Sequence, residues 1–587
     1  MKTKRFFAPT LFVATVGISL SLLSANASAE EAVFDLDEFG TTVSNEGTPT
    51  GSGTLEVGVV LDSPFEGVFN YILSSSGPDG TITSYFDEPL LTLDENMQYS
   101  NDGAMHYAFD EENNEITFTI AEEVYWHDGE RLDIHDYVES FYVMGHPDYN
   151  GVYGRSSGFT LIEGYLDYHN GGSDEISGIE VIDDNTAVFT FTETNPTLLS
   201  GGLWVYAFPV HHFEHLSVSE MSSSPEAREN PIGIGPYKVD SITPGESLIL
   251  SKHEDYWRGE PQLDGINIQV VSTATVSNEV ANNNFDIVEY FPVDQVVDIA
   301  DAEGLEWLAH TSDNYDYLGF KLGEWDAENN VNVDLRDEMK MGDVELRRAM
   351  WYAIDNAEIG RQFYHGLRVG ATTLVPPYYE AYHDETIEAP TFDLDTANQI
   401  LDDAGYEDID GDGFRETPEG EPLDINLAVI SHSDVAEPLA NYYLQSWRNV
   451  GLNTNLLNGR LVEYNSFYDM LGNDTGDIDV YLGAWQVGSD VDQSGYYGGD
   501  SPSNYGRYND ETNNEILARG LSEEAFDPEY RIDVYKEWQQ YMVEDIPVIP
   551  TLYRTLVFPI TENVVNYSID PYFNEETALY NVGFSEE

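Results

Sequence analysis

Leu55-Glu56-Val57-Gly58-Val59-Val60, LEVGVV, is a short apolar run whose hydrophobicity is nearly continuous rather than alternating. It reads as a strand of the buried type and marks where folded sequence begins. Further strand signals follow at Ile116–Ile120, Thr186–Phe191, Ser247–Leu250 and Ile266–Val271, each set between Gly, Asn and Asp punctuation. Helical periodicity lies elsewhere, at Val344–Ala353 (VELRRAMWYA), Leu394–Ala404 and Glu437–Val450. Strands and helices therefore mix along the whole chain, with no repeat period. That pattern predicts α/β layering in at least two lobes.

Upstream of LEVGVV the chain changes character twice. Residues 30–52, EEAVFDLDEFGTTVSNEGTPTGS, are polar and rich in Gly, Thr and Ser, and read as a flexible linker with a reach of about 25 Å. Residues 1–29 open with Lys2, Lys4 and Arg5, continue through a mostly apolar Leu11–Leu23, and end on Ala27-Ser28-Ala29. This is the pattern of a secretory signal peptide, cleaved between Ala29 and Glu30. The apolar run is too short and too often broken by Ser and Thr for a membrane span. Leu23-Ser24-Ala25 has the shape of a lipobox, but Asn26 stands where the lipid-bearing Cys belongs. The expectation is an exported protein of the extracellular space or cell envelope, periplasmic if the cell is Gram-negative, and not lipid-anchored.

Composition narrows the function classes. The chain holds 108 Asp and Glu against 24 Lys and Arg, a formal net charge of −84, and no Cys. The Cys count excludes disulfides, thiolate metal sites and Cys nucleophiles. Repulsion at that charge swells a compact state in dilute buffer, whereas the Debye length falls to about 3 Å near 1 M salt. The sequence therefore predicts adaptation to a salty exterior. Such a surface makes nucleic acid and anionic membrane poor partners. The mature chain of about 560 residues exceeds what one ordinary core accommodates.

Several phrases in order carry a resemblance: YWHDGERLDIHDYVESF (Tyr125–Phe141), SGIEVIDDNTAVFTF (Ser177–Phe191), PIGIGPYKV (Pro231–Val239), DYWRGEPQLDGINIQVV (Asp255–Val271) and LRRAMWYAID (Leu346–Asp355). AGYEDIDGDGFRE and IDVYLGAWQVGSDVD follow further on. Together they resemble the family 5 extracellular solute-binding proteins of ABC importers, the oligopeptide and dipeptide receptors. The opening from Ser63 to Leu91 is most similar to the large Gram-positive receptors for longer oligopeptides. The resemblance implies a type II, large-class, two-lobed periplasmic-binding-protein-like α/β fold with an extra subdomain, closing on ligand by a hinge. Lobe I is then expected at 53–80, 205–312 and 545–587, its extra subdomain at 81–204, and lobe II at 313–544. It also implies an oligopeptide ligand, the transmembrane subunits of an ABC permease as partner, a monomer, and no catalysis. The same fold also takes oligosaccharides, nickel complexes and haem, or serves a peptide sensor.

Candidate site residues are few. An extended peptide is held through its main chain, and its ammonium end wants a carboxylate. Short-peptide receptors supply an Asp three residues after a Trp. Here that Trp is Trp485, the third position after it is Gly488, and Asp490 and Asp492 are the substitute candidates. The 39 Tyr, 27 Phe and 9 Trp are ample for aromatic cleft walls. Asp408, Asp410, Asp412, Phe414 and Glu419 follow the ligand spacing of a calcium loop, although Pro418 interrupts the helix that normally carries the last Glu. No cofactor is required, and a structural Ca2+ is what this loop's spacing suggests. Gly154-Arg155-Ser156-Ser157-Gly158 matches G-x-S-x-G but lacks the strand and helix of a nucleophile elbow, leaving a secreted hydrolase the least favoured reading. His211, His212 and His215 have a zinc-compatible spacing without a Glu base, and read as structural.

Overall fold

The computed structural model describes residues 33–431 and 435–585. The expected signal peptide, the Ala29/Glu30 cleavage point and residues 30–32 lie outside them.

LEVGVV forms the strand Thr54–Val60, flanked in parallel by Gly265–Val271 on one side and Ile287–Glu289 on the other. Leu55, Val57 and Val59 pack with Leu248, Ile266 and Ile268, while Val60 joins Val271, Val276 and Phe285 in a second cluster. Both faces of the sheet are thus covered, which is why the run is continuous rather than alternating. Gly58 has a steric reason as well: a Cβ there would meet the Phe285 ring at 3.0 Å.

This strand belongs to an 11-stranded sheet that runs through both lobes. The lobe II part is Asn453–Leu456, Asp424–Ala428 and Val480–Gln486; the lobe I part adds Ser247–Lys252 and Tyr237–Thr243 beyond Gly265–Val271. Two long antiparallel strands, Leu305–Phe320 and Val548–Thr561, join the halves. Leu308 lies in the lobe I core and Tyr315, Tyr317 and Leu318 in the lobe II core, and the ladder breaks register between Thr311 and Tyr315. A bulge between two cores is where a twin-strand connection bends most easily. The return crossing comes later than the expected 544/545 boundary. Val548, Ile549, Leu552 and Tyr553 still belong to the lobe II core, and only from Val557, Phe558 and Ile560 does the strand enter lobe I cores.

The extra subdomain is a four-stranded antiparallel sheet ordered Met105–Asp110, Glu115–Ile120, Thr186–Thr190, Ile179–Asp183. The helix Ile134–Gly145 packs with it, started by a capping box in which Asp133 and Asp136 each satisfy the other's backbone N–H. Its core reaches from Val68 to Ile234, whereas Ile82, Tyr85 and Phe86 pack into lobe I, so both expected limits of 81–204 shift.

The expected flexible linker is docked from residue 33 onward. Phe34 and Phe39 pack against the second lobe I cluster, Val43 is buried, and Gly40, Thr42 and Pro49 bridge to Leu308, Ser568 and Ser585. Its polar composition hid the few aromatic and aliphatic anchors that hold it. Among the described residues no helix is long and apolar enough to cross a membrane.

Candidate ligand cleft

Three of the phrases that carry the resemblance, those beginning at Tyr125, Pro231 and Asp255, fold into one seam. Asp136 accepts from Trp126 Nε1 (3.1 Å) and from the Val210 N–H (3.2 Å). His127 Nδ1 accepts the Gly233 N–H at 3.1 Å, leaving Nε2 to donate to the Gly235 carbonyl at 3.1 Å. Burial pushes the His127 pKa down to about 3, so the ring is a neutral clasp. Asp87 accepts the Ile234 N–H at 3.2 Å, and burial raises its carboxyl to about 8. Glu88 accepts from Tyr256 Oη (2.6 Å) and Trp257 Nε1 (2.5 Å). Gly233 and Gly235 permit this approach: Cβ atoms there would fall 2.4 and 2.7 Å from the Phe86 backbone. Motif spacing in YWHDG, PIGIGPY and DYWRG therefore reflects packing between lobe I and its subdomain.

Above the seam two adjoining cavities, about 850 and 780 Å³, lie between the lobes and share Ser489, Pro571 and Tyr572 in their walls. The first is largely aromatic, lined by Tyr99, Tyr153, Phe159, Trp204, Tyr206 and Phe573. Its floor is tight: a Cβ on Gly158 would lie 1.7 Å from the Gly202 carbonyl oxygen. Trp204 Nε1 is buried with no hydrogen-bond partner among the described residues. The second is lined by Tyr378, Tyr379 and Tyr382 of lobe II facing Glu95, Asp570 and Tyr572 of lobe I and its subdomain.

Contacts across the lobes border the cavities. Ser200 donates to Asp490, and Asp490 is held from its own lobe by Arg531 through Nη1 (3.0 Å) and Nη2 (2.8 Å). Burial alone would raise the Asp490 carboxyl, but the Arg531 guanidinium and the Ser200 hydroxyl hold it below the usual carboxylate range. Nearby, Phe109 of the subdomain packs on Phe526 of lobe II with ring centroids 5.0 Å apart.

The sequence candidates fall around this latch in unequal roles. Gly488 adopts a φ of +100°, which disfavours any side chain, and its N–H donates to the hinge residue Asp313 at 3.0 Å. The loop thus excludes an acid at the position short-peptide receptors use. Asp490 lines the second cavity, yet its charge is already met by Arg531. Asp492 accepts from Ser494 Oγ (2.6 Å) and Tyr535 Oη (3.0 Å), and burial, then the Asp490 charge, raises its carboxyl. Trp485 stacks on Tyr496 (4.3 Å) and Tyr505 (5.8 Å) and lines a separate, smaller cavity.

Asp408, Asp410 and Asp412 bring carboxylate oxygens within 4.8 Å of one another. Glu419 stands outside that group; its neighbours close a turn through Gly420 N–H to Thr417 (2.8 Å), and Glu416 instead folds back to accept the Ile409 N–H at 2.7 Å. His211, His212 and His215 diverge to Asp128, the Asn230 carbonyl and Glu226 respectively. Ser156 and Gly158 line the first cavity, but no strand enters the short helix Ser157–Thr160, so the elbow geometry is absent.

Sequence reasoning missed the walls themselves: Gly201–Tyr206, Tyr378–Tyr382 and Pro571–Phe573. Paired Gly and Tyr hint at the first two segments. Nothing in DPYF distinguishes the third.

A family model described as bacterial extracellular solute-binding proteins, family 5 Middle, matches residues 102–507. The oligopeptide-binding protein OppA of Lactococcus lactis subsp. lactis is 28% identical over 504 residues, 84% of this chain and 83% of that protein. Among solved structures, lactococcal OppA complexed with an endogenous peptide in the closed conformation aligns with a TM-score of 0.77 at 27% identity, over 90% of this chain and 100% of that one. The oligopeptide-binding protein AppA of Bacillus subtilis, in complex with a nonapeptide, shares the fold with a TM-score of 0.68 at 18% identity, over 92% of this chain and 100% of that one.

Proposed function

This chain belongs to the bacterial extracellular solute-binding proteins of family 5, and on that premise we propose that it captures oligopeptides outside the cytoplasm and delivers them to an ABC permease. The supporting observation is the pair of cavities between the lobes, bordered by the Ser200–Asp490–Arg531 contact. A peptide threaded through both lies against Gly201–Gly202 and Ser489–Val491, which line the cavities, while aromatic walls and water accommodate varied side chains.

The cycle makes and breaks no covalent bond. The open form presents lobe I and lobe II separately; ligand touching both walls favours the closed form by its differential contacts, and the twin strands bend at Thr311–Tyr315. The permease then reads the closed monomer. In this reading the protein is exported, works in high salt, and is retained without a lipid.

Isothermal titration in 2 M salt with pools of tetra- to decapeptides tests the assignment. Saturable heat with peptides supports it. Silence with every pool, together with binding of an oligosaccharide, overturns it.

A further inference from the structure

A third cavity, of about 320 Å³, lies in lobe II and shares no lining residue with the two cleft cavities. Its charged lining is one carboxylate against two guanidiniums: Asp316 accepts from Arg368 Nη1 (2.9 Å) and from Arg554 Nε (3.0 Å) and Nη2 (2.6 Å). Among the described lining residues one positive charge is left over. In a chain with 24 basic residues against 108 acidic ones, two guanidiniums converging on a single acid run against the bulk composition.

The same wall carries buried donors without acceptors. Arg368 Nε, Tyr443 Oη and Thr551 Oγ1 have no hydrogen-bond partner among the described residues, and both Tyr443 and Thr551 are fully buried. The two hydroxyls are neighbours. Should one donate to the other, a hydroxyl proton and the Arg368 N–H would still lack an acceptor. Native interiors rarely leave such donors unpaired. The Arg368 guanidinium is itself fixed, lying 4.1 Å over the Tyr364 ring. The remaining wall is mostly apolar or aromatic, with Leu439, Leu482, Tyr468 and Trp485, and the amides of Asn314 and Gln486 complete it.

We infer that this cavity is a binding site for a small organic monocarboxylate with an apolar body, distinct from the peptide cleft. The surplus positive charge and the unpaired N–H and O–H donors of the lining residues take the carboxylate, and the aromatic wall takes the body.

The test compares phenylacetate with its uncharged amide, phenylacetamide, by isothermal titration on the full protein in molar salt, in sulfate and chloride forms. One phenylacetate binds per chain, at least tenfold more tightly than the amide, and Tyr443→Phe or Thr551→Val weakens it tenfold or more. Weaker binding in chloride than in sulfate supports the same charge-selective site. Saturation with an oligopeptide leaves the affinity unchanged. Equal binding of acid and amide, no binding of the acid in either salt, or its exclusion by bound peptide each overturns the assignment. The acid and amide comparison needs only the wild-type protein, so a variant that fails to fold does not shelter the proposal.

Discussion

Ser200 and Asp490, 290 residues apart in the chain, are joined by a hydrogen bond across the cleft. It links the subdomain of lobe I to a lobe II carboxylate that Arg531 already holds bidentately. When the lobes part, the Ser200 hydroxyl keeps a fallback in the Pro196 carbonyl at 3.2 Å. Its net contribution to closure is therefore about 1 kcal/mol, roughly fivefold in ligand affinity. Ser200→Ala should weaken peptide binding by that factor in isothermal titration without lowering the melting temperature. Unchanged affinity would remove Ser200 from the closing device.

Arg531→Met leaves Asp490 as a buried, unpaired charge. We expect a loss of about 3–5 kcal/mol in denaturant unfolding, and partial recovery in Arg531→Met/Asp490→Leu. The sign with pH follows from the lowered Asp490 pKa. Its stabilisation is complete above the unfolded value near 3.9 and disappears as pH falls through the lower folded value. If the double variant proves no more stable than Arg531→Met, the ion pair is not what the site depends on.

Asp87 has the opposite sign. Its carboxyl, raised to about 8 by burial, binds a proton in the folded state that the unfolded chain has released above pH of about 4. Stability should fall as pH rises from about 4 to 8 and then level off. Asp87→Asn keeps an acceptor for the Ile234 N–H and should flatten that slope in melting curves. A slope identical to wild type would show that other groups set it.

The formal charge of −84 predicts a strong salt requirement. Melting temperature should rise steeply between dilute buffer and 2 M NaCl as the Debye length contracts. Equal melting in both would contradict adaptation to salt.

Calcium should raise the melting temperature of protein first stripped with chelator, and Asp410→Asn should abolish the rise, since Asp408, Asp410 and Asp412 converge on one point. Glu419→Gln should leave the response intact, because Glu419 lies outside that group. A response lost in Glu419→Gln but not in Asp410→Asn would reverse these roles.

Much of the fold was legible because its signals are local. LEVGVV, the alternating strands of the subdomain and the helices at Val344–Tyr352 and Leu394–Ala404 appear nearly where periodicity puts them. Boundaries were harder. The lobe limit near 544 was displaced because Val548–Thr561 is one continuous apolar strand, and nothing along it marks the passage from one core to the next. The docked segment after residue 33 reads as a linker in sequence because isolated anchors such as Phe34 and Val43 carry no period.

The sequence alone determined the layered α/β character, the acid surplus and the motif phrases, because covalent order and short-range patterning encode them directly. Tertiary structure decided which of many similar acids and aromatics matter. Asp490 and Asp492 are indistinguishable in GSDVD, yet one is fixed by Arg531 and reached by Ser200 while the other faces Ser494 and Tyr535. Whether a carboxylate is free for a ligand depends on which charge folding places a few ångströms away, and Coulomb and desolvation terms act through space rather than along the chain.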